Sequence, residues 1–121
     1  MASSKISKIL SKTGLTEAEL DTICSVFRTT PAITRAILFG SRAKGTAKHY
    51  SDIDFAIEGS LNERQIAEVA MKLEELPLPY KFDVKSLASI RHLPLKEHID
   101  RVGITIYRKA GDSAPALAKS D

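Results

Sequence analysis

Residues 40–57 read GSRAKGTAKHYSDIDFAI, and the order of turn, basic loop and carboxylates in them decides the fold. Gly40-Ser41 opens the stretch and Asp52-Ile53-Asp54 closes it, with ten residues between Ser41 and Asp52. The apolar run Ala36-Ile37-Leu38-Phe39 lies just before it and reads as the end of a buried strand, Ile33 to Phe39. In Asp52 to Ile57, polar or small residues alternate with large apolar ones. Alternate residues of a strand share a face, so Ile53, Phe55 and Ile57 enter the core while Asp52 and Asp54 point together to the other side. Two carboxylates about 6.5 Å apart along a strand repel one another and gain nothing from packing. A hard cation between them reverses that penalty. Mg²⁺ suits such a site because it accepts a few carboxylates and keeps positions for water and phosphate oxygens.

The turn supplies the complementary chemistry. Glycine lets the backbone bend sharply and approach a ligand closely. Ser41 offers a hydroxyl at the start of a short expected helix, Arg42 to Thr46, whose free N–H groups favour anions. Arg42 and Lys44 add positive charge. Phosphate donors facing a carboxylate pair fit a metal–triphosphate substrate.

Gly40, Ser41, Asp52 and Asp54 at this spacing resemble the signature of the minimal nucleotidyltransferases (MNT domains) of the DNA-polymerase-beta-like superfamily: Gly-Ser, a basic loop, then Asp-x-Asp on a strand. The alternative is a polar hairpin whose aspartates merely face solvent. The resemblance extends over about residues 15–109, including Leu95, Ile99, Gly103 and Ile106-Tyr107 near its end. It implies an α/β (α+β) fold: a small mixed sheet of four strands with helices packed on one side.

The remaining chain is consistent with one modest domain, residues 1–109, followed by a disordered tail, 110–121, rich in Ala, Ser, Asp and Lys. The 121 residues are 43% hydrophobic and 27% charged, ordinary for a globular protein. No apolar run is long enough to cross a bilayer and no signal-peptide pattern follows Met1, so a cytoplasmic location is expected and a membrane role is not. The single Cys24 can form no internal disulfide and falls on the apolar face of a helix, as a core thiol. A net charge of +3 helps attract a nucleotide. With 6% aromatic residues and no Trp, the chain lacks the basic, aromatic-studded surface of a dedicated nucleic-acid binder.

Ile6, Ile9 and Leu10 make a short apolar stripe on a lysine-rich helix, read as lying on its own domain. Thr16-Glu17-Ala18-Glu19 is a capping box with Leu15 and Leu20 as staple, opening a helix that runs to Thr29. Its apolar face is Leu20, Ile23, Cys24 and Phe27. Asn62 and Gln65 cap another helix, with Ile66, Val69, Ala70 and Leu73 inward. A third strand, Tyr80 to Lys85, follows, with Asp83 on the face opposite Tyr80, Phe82 and Val84. The resemblance implies that Asp83 joins Asp52 and Asp54 as a third catalytic carboxylate. A solvent-facing place between Lys81 and Lys85 is the alternative, since sequence fixes neither pairing nor register. Leu87 to Leu93 and Leu95 to Arg101 read as a helical pair broken at Pro94, before a last strand, Ile104 to Tyr107. His92 and His98 fit no zinc spacing.

The resemblance implies transfer of a nucleoside monophosphate, AMP from ATP, to an acceptor hydroxyl. Asp52, Asp54 and Asp83 would be the catalytic and metal-binding residues, holding two Mg²⁺ ions, or Mn²⁺. Gly40, Ser41, Arg42 and Lys44 would bind the nucleotide. Larger relatives, such as kanamycin nucleotidyltransferases, carry an acceptor-gripping domain for which this chain has no room. Many MNT proteins are antitoxins that pair with a helical HEPN protein, and some adenylylate it. A HEPN-type partner is therefore expected, with homo-oligomerisation also open. Transfer to an aminoglycoside-like small molecule, or a non-catalytic antitoxin acting by binding, are the alternative functions.

Overall fold

A computed structural model describes residues 4–109; the expected tail, 110–121, lies outside the described residues. The chain runs α1 (Ser4–Thr13), α2 (Glu17–Arg28), β1 (Ile33–Phe39), α3 (Ser41–Lys44), β2 (Ile53–Gly59), α4 (Glu63–Glu74), β3 (Phe82–Ser86), a 3-10 turn (Leu87–Ser89), α5 (Leu93–Val102) and β4 (Ile104–Arg108). The four strands form one sheet in the order β3-β2-β1-β4. β1 is antiparallel to β2 and to β4, and β2 is parallel to β3. The sheet is mixed, as expected, because α4 carries the chain from the end of β2 back to start β3 in the same direction.

Local chemistry sets the helix starts. Glu19 N–H donates to Thr16 Oγ1 at 3.0 Å and Thr16 N–H to Glu19 Oε1 at 2.9 Å. The same reciprocal pair closes between Asn62 and Gln65 at 2.8 and 2.9 Å. Each pair satisfies two N–H groups that a helix start leaves without partners. Pro94 does not break a helix: it stands in the first turn of α5, where its missing N–H costs nothing. Leu87 to Ser89 therefore form only a 3-10 turn, and the expected helical pair is a single helix preceded by that turn.

Strand alternation divides the apolar residues between the two faces. On one face, Ala36 and Leu38 of β1, and Ile53, Phe55 and Ile57 of β2, meet Leu20, Ile23 and Phe27 of α2 and Val69 and Leu73 of α4. Phe27 sits edge-on to Phe55 at 5.2 Å and also touches Tyr107 at 5.8 Å. The other face carries a smaller cluster: Ile37, Phe39 and Ala56 with Ile90 and with Ile99 of α5. The expectation of helices on one side thus holds for α2 and α4, while α5 covers part of the opposite face. The helix containing Cys24 buries its thiol, which reaches Ile106 O at 3.4 Å. Burial pushes that thiol up to about 12, as suits a core group and not a nucleophile. Among the described residues no helix is long and apolar enough to cross a membrane.

Phe27 is fully buried and joins α2 to two strands. Replacing Phe27 with Ala should cost about 3–5 kcal/mol, a large share of a small domain's stability. Urea unfolding monitored by circular dichroism should show the midpoint fall with little change in slope.

Candidate functional site

The carboxylates gather on the face that α5 only partly covers. Asp54 pairs with Phe39 across the antiparallel ladder and with Asp83 across the parallel one. In-register neighbours on adjacent strands, about 4.8 Å apart, point to the same side. Asp83 therefore stands beside Asp54 on the same face of the sheet, while its side chain stays about half exposed to solvent. Asp52 precedes β2 and is exposed; it lies outside the strand in which it was expected. Its charge still reaches Asp54. Burial, then Asp83, then Asp52 push the Asp54 carboxyl above its ordinary value, and Lys85 offsets part of this. Lys85 Nζ stands 3.4 Å from Asp83 Oδ2, with both side chains about half exposed.

Gly40 follows Phe39 and so arrives next to Asp54. Its φ of 81° and ψ of −157° belong to a region open to glycine, and a Cβ there would collide with Asp54 Oδ2. Two independent constraints thus require glycine at this point. Ser41 is half-buried at the start of α3, and Lys44 is exposed. α3 is one turn long, ending at Gly45 in the left-handed conformation, so its dipole is small and most of the anion attraction must come from side chains. The N–H of Gly40 is already engaged: it donates to Nε2 of His98 on α5 at 3.0 Å.

Arg42 has a different place from the one expected of a phosphate ligand. Its side chain is 2% exposed. Nη1 donates to Thr13 O at 2.9 Å, and Nε and Nη2 both donate to Ser51 O, at 3.3 and 3.1 Å. Nη2 also reaches His49 O at 3.2 Å and Lys48 O at 3.4 Å. The guanidinium lies 4.8 Å from the centre of the Tyr80 ring. The planar fork, spent on carbonyls, fixes the loop that ends at Asp52 against the end of α1. Tyr80 extends the arrangement by donating to Glu19 Oε2 at 2.8 Å. Burial pushes the Glu19 carboxyl up, but the hydrogen bonds from Thr16 and Tyr80, with the Arg42 charge, outweigh it and hold the carboxyl low.

The donor set can be tested against a divalent cation. Among the described residues, no three acidic, His or Cys side chains are gathered closely enough as they stand to ligate one ion. The donor chemistry nevertheless suits a hard cation: Asp54 and Asp83 stand in register on adjacent strands, and the charges of both Asp83 and Asp52 help push the Asp54 carboxyl up. Asp52 and Asp83 are exposed enough to turn inward. Tyr80 and His98 were not legible as supporting residues, because each acts on a partner far away along the chain; Arg42 was expected at the site as a nucleotide ligand, not as a brace for the loop.

Comparison with known proteins gives the family and the fold. Residues 21–112 match the family model Polymerase beta, Nucleotidyltransferase. No curated protein matches the sequence. Sixteen chains of solved structures match. One, from a crystal structure of a toxin–antitoxin with AMP-PNP, is 26% identical with a TM-score of 0.64, covering 75% of this chain and 74% of its own. Another, from tri-AMPylated Shewanella oneidensis HEPN toxin in complex with MNT antitoxin, is 24% identical with a TM-score of 0.58, covering 74% and 70%. A chain of the MntA–HepT toxin–antitoxin is 23% identical with a TM-score of 0.60, covering 78% and 74%; at such identities the likeness is one of fold.

Two outcomes follow from the geometry. Arg42→Met should cost about 3 kcal/mol, because it strands several carbonyls, and Arg42→Lys should recover only part, lacking the planar fork; denaturant unfolding checks both. The raised Asp54 carboxyl means that the folded state holds a proton more tightly than the unfolded one. Stability from this group therefore falls as pH rises from about 3.8 through the raised folded value. Asp54→Asn should accordingly melt at a higher temperature than the parent at pH 7, with the gain shrinking as pH drops toward 3.8. Thermal melts across that range decide it.

Proposed function

Since the chain belongs to the polymerase beta nucleotidyltransferase family, and is a nucleotidyltransferase, we propose that it moves AMP from ATP to a hydroxyl of a HEPN-type partner protein, as the antitoxin of such a pair. The observation that carries this reading is the register of Asp54 beside Asp83, with Gly40 packed under the Asp54 carboxylate. Likeness to a toxin–antitoxin chain crystallised with AMP-PNP supports the nucleotide, and likeness to the antitoxin bound to an AMPylated HEPN toxin supports the acceptor. A cytoplasmic location belongs to the same proposal.

Asp52, Asp54 and Asp83 would hold the divalent cations, Mg²⁺ or Mn²⁺. Once bound, these would neutralise charge on the phosphates and on the attacking and leaving oxygens. Ser41 offers its hydroxyl to a phosphate oxygen, and exposed Lys44 adds charge. Arg42 contributes indirectly, by fixing the loop that presents Asp52. In the transfer, the acceptor oxygen bonds to the α-phosphorus and the bond from that phosphorus to the bridging oxygen of pyrophosphate breaks. The hydroxyl proton leaves toward exposed Asp83 or water. Without cations, the clustered carboxylates destabilise the fold.

The test is incubation with α-labelled ATP, Mg²⁺ and a HEPN protein encoded beside this chain. Label should appear on the HEPN protein, and Asp54→Asn should lower the rate on the order of 100-fold or more. Chelation with EDTA should abolish it. Label on an aminoglycoside would reassign the acceptor. An absence of label from every acceptor, with tight HEPN binding retained, would refute the enzymatic reading and leave a steric antitoxin.

A further inference from the structure

Gly40 is gripped through both of its flanking peptide groups. Its carbonyl accepts from Lys44 N–H at 3.1 Å, inside α3. Its N–H donates outward to Nε2 of His98 at 3.0 Å, across 58 positions of sequence. The His98 ring also stands edge-on to Phe39, the residue before Gly40, with centroids 6.2 Å apart and planes at 80°. His98 is itself placed by its neighbour Ile99, which is 3% exposed in the smaller apolar cluster together with Phe39. α5 is therefore seated by apolar contacts on the last residues of β1, and it offers the turn one well-aimed acceptor.

We propose that His98 is a positioning residue for the glycine-serine turn: it fixes the Phe39–Gly40 peptide, and with it the direction of the Ser41 hydroxyl and the seat of the Asp54 carboxylate. The inference rests on the nucleotidyltransferase reading for its consequence in catalysis, but not for its geometry. A glycine in this region of backbone space has several conformations open to it and no side chain to select one. Something outside the turn must choose. The Lys44 bond constrains the carbonyl side alone, whereas the His98 bond constrains the N–H side. Because Nε2 accepts, the ring proton resides on Nδ1. Asp54 lies against the Cα of the same glycine, so a change in the Phe39–Gly40 peptide plane would also move the carboxylate. Through this one bond α5 sets the spacing between the phosphate-facing serine and the carboxylates.

The test separates this role from simple packing with two variants. Glutamine places an acceptor oxygen near the position of Nε2, whereas phenylalanine keeps the ring and its contact with Phe39 but has no acceptor. In ¹⁵N-labelled wild-type protein, a scalar coupling between the Gly40 nitrogen and His98 Nε2 should be seen across the hydrogen bond. The Gly40 amide should exchange with solvent about tenfold faster in His98→Phe and return toward the wild-type rate in His98→Gln. With ATP, KM should rise about tenfold in His98→Phe while kcat changes less, with His98→Gln restoring most of the loss. Absence of the coupling, or equal Gly40 exchange in wild-type and His98→Phe proteins, would overturn the proposal, as would failure of His98→Gln to restore KM in a folded protein. If the wild-type protein binds no nucleotide, the proposed function falls, and the Gly40 amide measurements alone decide whether His98 sets the turn.

Discussion

The guanidinium of Arg42 is a cation taken into the interior, and the geometry of the site depends on what it finds there. Burying a charge without partners is expensive, so a chain that does it must answer with many well-placed acceptors. Here the answer is a set of loop carbonyls, from Lys48, His49 and Ser51, together with Thr13 at the end of α1 and the face of Tyr80. Thr13 is the last residue of α1, where the helix leaves its carbonyl without an internal partner, and the other three carbonyls lie in the loop, outside any helix or strand. The loop and the cation complete one another: the loop has an inside to fold around, and Asp52 emerges from it at a fixed point.

Tyr80 carries this constraint further. Its ring receives Arg42 and its hydroxyl donates to Glu19, which also closes the capping box of α2. The start of α2, the entry to β3 and the loop before β2 are thus joined by polar contacts around the rim of the larger apolar core. The two faces of the sheet are unequal as a result. One is filled with aromatic and aliphatic side chains packed under α2 and α4. The other is covered in part by α5 and otherwise left to carboxylates, whose mutual repulsion and partial burial work against the fold. The larger core on the far side of the same strands offsets that unfavourable charge.

Much of this was legible because it is local. Alternation in Ile53 to Ile57 fixed which residues entered the core, and the two capping boxes announced the starts of α2 and α4. Gly40, Ser41, Asp52 and Asp54 were legible as a group because a turn followed by a strand needs no distant information. Other readings failed where a local rule had two outcomes. Pro94 either breaks a helix or opens one, and only the packing of Ile99 and Leu95 against β1 shows that it opens α5. Tyr80 has the alternation of a strand residue, yet it precedes β3 and turns to Arg42.

Composition and order along the chain determined the elements, their apolar faces and the candidate turn and carboxylates, because hydrophobic period and capping act over a few residues. Tertiary structure alone decided that Asp83 is level with Asp54, that Arg42 is an internal brace and not a surface ligand, and that the Gly40 N–H meets His98. Those facts depend on strand register and on which segments meet after the chain has closed on itself. A shift of one residue in β3 would send Asp83 to the opposite face without altering a single letter of the sequence.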